Sequence, residues 1–301
     1  MSERATVRPV TLARLVEVTY ACETVPSTTD DVESALEASH RRARETILEA
    51  TRIGLISEDN SSDDEEDSMY EITPVGSEFL EAVRDEKWRN VSSILQTRSP
   101  HFGALLELVS ELEPVEPETA LERLQEEHEH SPYDFNQTSI EVVGDWGERL
   151  GSIQRNAFTG SYYRATETDA PPNFPYILLT VFEELEDTAG VNLSQRYISI
   201  PELREYVCER LACTRSAFDE ALLSLVNQNV GKIELSGAPV DTGAKEAQLG
   251  IKQIELDESD GLVSTAQSTE AVMSGVEQYD KQYYYLAVHD DDLSYTPENQ
   301  R

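Results

Sequence analysis

The chain has 301 residues, 39% of them hydrophobic, with 59 Asp and Glu against 24 Lys and Arg and a formal net charge of −35. That length suits two or three domains of roughly 100–200 residues each. Apolar residues recurring at helical spacing exclude a wholly disordered chain, and no stretch reaches the roughly 18 apolar residues of a membrane span.

The elements begin with a helix from Thr11 to Cys22, in which Leu12, Leu15, Val16 and Val18 give an apolar face. Ser27, Thr28 or Thr29 caps a second helix that runs to Ala38, with Asp30, Asp31 and Glu33 suited to its first turn. Ser39 caps a third, His40 to Ile53, with Ala43, Ile47, Leu48 and Ala50 facing in, and Gly54 is a natural C-cap. A strand opens at Leu55-Ile56, and Met69 to Thr73 returns beside it. The acidic segment Glu58 to Asp67 loops between them, and a helix follows from Gly76 through Phe79, Leu80 and Val83.

Three helices and a hairpin in this order follow the winged helix-turn-helix plan. The stretches SHRRARETILEATRIGLIS and YEITPVGSEFLEAV resemble the third helix and the closing strand and helix of archaeal winged-helix regulators. The resemblance covers residues 8–85. It implies that the third helix enters the major groove, with residues near its N-terminus touching bases. His40, Arg41, Arg42 and Arg44 stand there, and Arg binds guanine O6 and N7 bidentately or holds phosphate. The competing account is a solvated helix face, with Arg41 and Arg44 paired to Glu45, Glu37 or Glu49. The wing departs from the family pattern. Asp63, Asp64, Glu65, Glu66 and Asp67 replace the usual Lys or Arg, and DNA repels such a tip. It suits a loop swung away from the duplex, or a winged helix that contacts protein.

In the middle region, Lys87 to Gln96, Phe102 to Leu112 and Pro117 to His128 read as helices punctuated by Pro100, Pro114 and Pro132. Thr138 or Ser139 caps a further helix through Trp146, a core residue, to Leu150. Ser152 to Arg155 and Ser161 to Arg164 then form a hairpin about Thr159-Gly160. A helix with a tight hairpin again resembles the last half of a winged helix. Arg149, Arg155 and Arg164 are its candidate phosphate contacts. His128 and His130 flank Glu129, but no spaced Cys or His set completes a metal site.

A linker at Ala170 to Asn173 leads to helices at Phe174 to Leu185, from Ile200-Pro201 to Cys213, and from Arg215 to Val230 under a Thr214 cap. Residues 190–196 connect the first two. Strands at Lys232 to Ser236 and Tyr283 to Val288 complete a second winged-helix-like order, with Arg215 near the start of its recognition helix. Asp219 and Glu220 on that helix suit protein contact as well as DNA. The segment Gly237 to Lys281 is too long for an ordinary wing. Leu249 to Leu256 could add a strand to it and Gly261 to Val276 a helix. Tyr283, Tyr284 and Tyr285 alternate between core and surface.

Charge spread over the whole length, with Lys rarer than Arg, suits a halophilic protein of a salt-rich cytoplasm better than an acidic tail or a DNA mimic. At molar salt the Debye length is about 3 Å, so a DNA-binding protein there depends on short-range contacts. Cys22, Cys208 and Cys213 make no disulfide framework, and the N-terminus lacks the apolar core of a signal peptide.

No phosphate loop, zinc-protease helix, nucleophile elbow or nuclease carboxylate pattern stands in the sequence. The expectation is a mainly α protein with small β-hairpins (α+β), built from tandem winged-helix domains. They are a winged helix at 8–85, a helical region with a winged-helix-like hairpin at 86–168, and a winged-helix-like domain with a long wing insertion at 174–290. A flexible tail follows at 291–301. Function is expected to be non-enzymatic and free of cofactor or metal. The partner is double-stranded DNA, in transcription regulation or a DNA-transaction complex. The alternative is a protein-binding scaffold of chromosome segregation or phage defence, and a DNA mimic is the weaker third reading. Dimerisation would use the helices between Gly76 and Gln96.

Overall fold

A computed structural model describes residues 5–59, 68–166, 169–188, 197–237, 272–279 and 281–297. The protein is mixed α+β, and its described residues are 55% helical with small antiparallel strand pairs. Among the described residues no helix is long and apolar enough to cross a membrane. The chain divides into two compact units, one ending at Ile153 and the other beginning at Gln154.

The first unit opens with α1 (Leu12–Ala21), α2 (Thr29–Ala35) and α3 (His40–Arg52). Hydroxyl caps fix the first two starts: Thr11 Oγ1 accepts the Arg14 N–H at 3.2 Å. Thr28 and Asp31 form a reciprocal capping box, with the Asp31 carboxylate 2.9 Å from the Thr28 N–H. Gly54 ends the α3 segment at φ +74°, a left-handed turn that glycine adopts without strain. Strands β1 (Ile56–Asp59) and β2 (Met69–Ile72) pair antiparallel, with Ile56 opposite Ile72. Residues 60–67, which carry the expected acidic tip, lie outside the described residues.

Helix α4 (Pro74–Arg84) closes this group. Thr73 joins it to the strand by accepting the Gly76 N–H at 3.0 Å while donating its hydroxyl to the Gly54 carbonyl at 2.6 Å. A Cβ on Gly76 would stand 2.1 Å from the Leu55 carbonyl oxygen, so only glycine lets α4 approach the Leu55 backbone this closely. Leu15, Val18, Val32, Ala43, Ile47, Leu55 and Phe79 form the buried interior of these elements. Leu48, expected inside, is exposed instead.

The unit continues with α5 (Trp88–Arg98), α6 (Pro100–Leu112), α7 (Pro117–Glu127) and α8 (Gln137–Arg149). Helix α8 starts before the expected Thr138 or Ser139 cap. Asn136 is its N-cap, and Ser139 completes the capping box from inside the helix. Trp146 is buried as expected, and its indole N–H donates to the Val10 carbonyl at 3.0 Å.

The second unit begins with the hairpin of β3 (Gln154–Arg155) and β4 (Tyr162–Tyr163). The sequence attaches this hairpin to the helix before it, whereas it groups with the elements after it. The reason lies in polar contacts no local pattern encodes: the Ala157 N–H donates to Glu205 at 2.8 Å, and Asn156 bonds Glu209.

Then come α9 (Phe174–Thr188), β5 (Ile198–Ser199), α10 (Ile200–Leu211), α11 (Arg215–Gln228) and β6 (Ile233–Ser236). Thr214 caps α11 as expected, accepting the Ala217 N–H at 3.2 Å. The last strands are β7 (Val276–Gln278), β8 (Lys281–Tyr283) and β9 (Tyr285–Val288). Strand β9 lies between β5 and β6, antiparallel to both, and Leu286 stands opposite Ile198 and Leu235.

Four expectations change in this unit. Strand β5 and the β7–β8 pair were not foreseen. Val276 opens a strand rather than ending a helix. The three tyrosines 283–285 do not alternate, because all are half-buried. The segment 291–297 is tied down rather than frayed: Asn229 Oδ1 accepts the Ser294 N–H at 2.8 Å, Gln228 Oε1 accepts the Thr296 N–H at 2.8 Å, and Leu293 and Tyr295 pack on the core. The expected strand 249–256, the connection 190–196 and most of the expected helix 261–276 lie outside the described residues.

Candidate nucleic-acid interface

Helix α3 buries Ala43, Thr46, Ile47, Glu49 and Ala50 and exposes His40, Arg41, Arg42, Arg44 and Leu48. At roughly 100° per residue, His40, Arg44, Leu48 and Arg41 share one outward stripe. Arg42 projects from the other flank, roughly 160° around the helix from Arg44. The four adjacent basic positions of the sequence are therefore not one patch in space: three face out together and the fourth flanks them.

Arg41 has 87% of its side chain exposed and its Nε 3.0 Å from Glu45 Oε1. This is the Arg41 pairing that a solvated helix face predicts. An exposed i,i+4 pair of this kind is worth only about 0.3–0.5 kcal/mol, so another anion readily displaces the carboxylate. Arg44 lies close enough to Tyr70 for its charge to oppose the upward shift that burial imposes on that phenol. The imidazole of His40 turns towards α2, with Nδ1 3.1 Å from Glu33 Oε2. Glu49 pairs with neither Arg41 nor Arg44. It is fully buried, bonded by Arg52 and by the Arg8 N–H at 3.3 Å.

The remaining candidates have different surroundings. Arg149 is largely buried against Asp145, its Nε 2.9 and 2.8 Å from the two carboxylate oxygens. Burial raises the Asp145 pKa, and Arg149 opposes that shift. Arg155 is half-buried, donating from Nε to the Gly160 carbonyl at 3.0 Å with its guanidinium 5.2 Å from the centre of the Tyr162 ring. Arg164 is half-buried beyond β4.

Arg215 departs furthest from a surface contact. Only 7% of its side chain is exposed, and it binds Glu205 through two nitrogens and the Arg155 carbonyl at 2.7 Å. A guanidinium so enclosed has no donor to offer a phosphate, so Arg215 is corrected to an internal tether of the second unit. Asp219, expected at a protein-facing surface, accepts from buried Arg204 at 2.8 Å. Of the cysteines, burial pushes Cys22 up to about 11 and raises Cys208 as well, so neither is a ready thiolate.

Sequence reasoning missed two features. One is the neighbourhood of His40, where α2 and α3 bring Asp30 and Glu33 to the same imidazole. The carboxylates and the histidine come from different helices, so no single spacing signals them. The other is a cleft of about 430 Å³ in the second unit, lined by Val181, Leu185, Tyr197, Glu202, Tyr206 and Tyr285 among others. Part of that lining comes from the unforeseen strand β5.

Comparison with family models, curated proteins and solved structures returns no match.

Proposed function

We propose that residues 8–85 form a winged helix that sets α3 against double-stranded DNA, in a transcription regulator or a DNA-transaction complex. The observation that carries this reading is the outward placement of Arg41 and Arg44 near the start of α3, in a chain with a net charge of −35. Clustered exposed cations are unexpected on so acidic a surface unless they meet an anion. The element order α1, α2, α3, β1, β2, α4 supports the winged-helix assignment. Arg41 and Arg44 are the side chains with the reach to hold guanine or phosphate. In this reading the protein binds and positions, and catalyses nothing itself.

A second reading has its own support. Strand β1 exposes Glu58 and Asp59 beside α3, which suits a cationic protein surface better than a duplex. The cleft of the second unit, with three tyrosines in its wall, also fits a scaffold that holds protein. Footprinting on genomic fragments at molar salt separates the two readings. A reproducible protected sequence supports the regulator, and absence of protection at every tolerated salt supports the scaffold.

A further inference from the structure

We infer that Asp30, Glu33 and His40 form a binding site for one divalent first-row transition-metal cation, at the turn between α2 and α3. Asp30 and Glu33 are three residues apart on α2 and so lie on one face. Asp31, between them, is held back by Thr28. The chain turns at Glu37, which has φ +47°, and α3 opens with His40 facing the two carboxylates. The ligand atoms of all three residues lie within 4.8 Å of one another. His40 Nδ1 is 3.1 Å from Glu33 Oε2 and 3.9 Å from Asp30 Oδ1.

An ion pair alone does not account for this arrangement. Nδ1 carries at most one hydrogen and serves one carboxylate, so the second carboxylate faces the first without a shared donor. With a neutral ring the trio carries two negative charges. That exceeds the roughly half positive charge that the first turns of α2 and α3 each contribute. A divalent cation cancels both charges and takes all three atoms as ligands at about 2.0–2.2 Å. Side-chain rotation closes the remaining distance, since Asp30 and His40 are 89% and 61% exposed. One imidazole with two carboxylates, the other positions left to water, favours Mn²⁺, Co²⁺ or Ni²⁺ over Mg²⁺ or Ca²⁺. No spaced Cys or His set announces this site in the sequence, because its ligands come from two helices.

A consequence for regulation rests on the DNA reading above. A bound cation cancels two negative charges at His40, one helical turn before Arg44 on α3, so metal raises the affinity of α3 for a polyanion.

The test is calorimetric titration of the full chain with Ni²⁺, Co²⁺, Mn²⁺ and Mg²⁺ in molar KCl, which screens the general acidic surface. One saturable site per chain is expected, tightening from Mn²⁺ through Co²⁺ to Ni²⁺. Glu33→Gln and His40→Ala should each weaken Ni²⁺ binding at least tenfold, and His40→Ala should also flatten the preference for Ni²⁺ over Mn²⁺. His130→Ala, outside the trio, should leave it unchanged. Absence of a saturable site, or unchanged affinity in the Glu33 and His40 variants, overturns the proposal. DNA binding measured with and without Ni²⁺ separates the two readings. Metal binding with no DNA binding overturns the DNA reading alone, and DNA binding with no metal site overturns this one alone.

Discussion

Arg215 Nε lies 2.6 Å from Glu205 Oε1 and its Nη2 2.8 Å from Glu205 Oε2, and neither side chain reaches solvent appreciably. The bidentate pair links the start of α11 to the middle of α10. The same guanidinium also donates to the Arg155 carbonyl of the hairpin at 2.7 Å. Removing one partner leaves the other charge buried and uncompensated, at about 3–5 kcal/mol. Arg215→Ala should therefore lower the unfolding free energy of the second unit by that amount, seen as a lower denaturant midpoint. Arg215→Lys should recover only part of it, since an ammonium cannot form the fork. Chemical denaturation followed by circular dichroism measures both. A midpoint unchanged in Arg215→Ala would remove the tether.

Gly76 is a second sensitive point. Any side chain there meets the Leu55 carbonyl at 2.1 Å, and the backbone cannot give without moving α4 away from the Leu55 turn. Gly76→Ala should destabilise the first unit by about 1–3 kcal/mol, the range of overpacked cores. A thermal melt checks this. Gly54→Ala is the useful comparison: its Cβ meets nothing within 4 Å, and only its positive φ opposes the change.

His101 sets a pH dependence. It is buried, its Nε2 is 3.1 Å from the Asp134 carbonyl, and Nδ1 has no hydrogen-bond partner among the described residues. Burial, the largest cause, and the nearby Arg52 charge hold its pKa below the usual value of 6.5. The unfolded chain therefore binds the proton more readily than the folded one. The stability contribution is complete above pH about 6.5 and falls as pH drops below it, with a slope of up to about 1.4 kcal/mol per pH unit until the folded pKa is passed. Urea unfolding of the wild type and His101→Gln at pH 7.5 and 5.5 tests this. The wild type should lose more stability on acidification than the variant. Equal losses would show that His101 is not the responsible group.

The parts legible in the sequence are those set by near neighbours. Thr28 announces α2, Gly54 ends α3, Thr214 starts α11, and Trp146 is core. In each case the signal and the structure it makes lie within a few residues. What could not be read depends on distant partners. Arg215 looks like a recognition-helix cation until Glu205, ten residues earlier, is seen to face it. Arg149 is spent on Asp145 within its own helix. The hairpin at Gln154 to Tyr163 follows α8 in sequence but is held by α10 and α11. Arg42 sits among three other basic positions yet leaves their face, because helical rotation separates neighbours that a count of charges joins. The segment 291–297 reads as a polar tail because its ties, Gln228 and Asn229, lie far back in the chain.

The central claim is that α3 meets DNA through Arg41 and Arg44. The most direct test is DNA binding at molar salt by the wild type and by the Arg41→Glu/Arg44→Glu double variant, with Arg42→Glu alone as a third protein. Thermal melts run in parallel show whether each remains folded. The double variant should lose protection of its sequence while melting within a few degrees of the wild type, and Arg42→Glu should weaken binding less. Equal binding by the wild type and the folded double variant would contradict the claim.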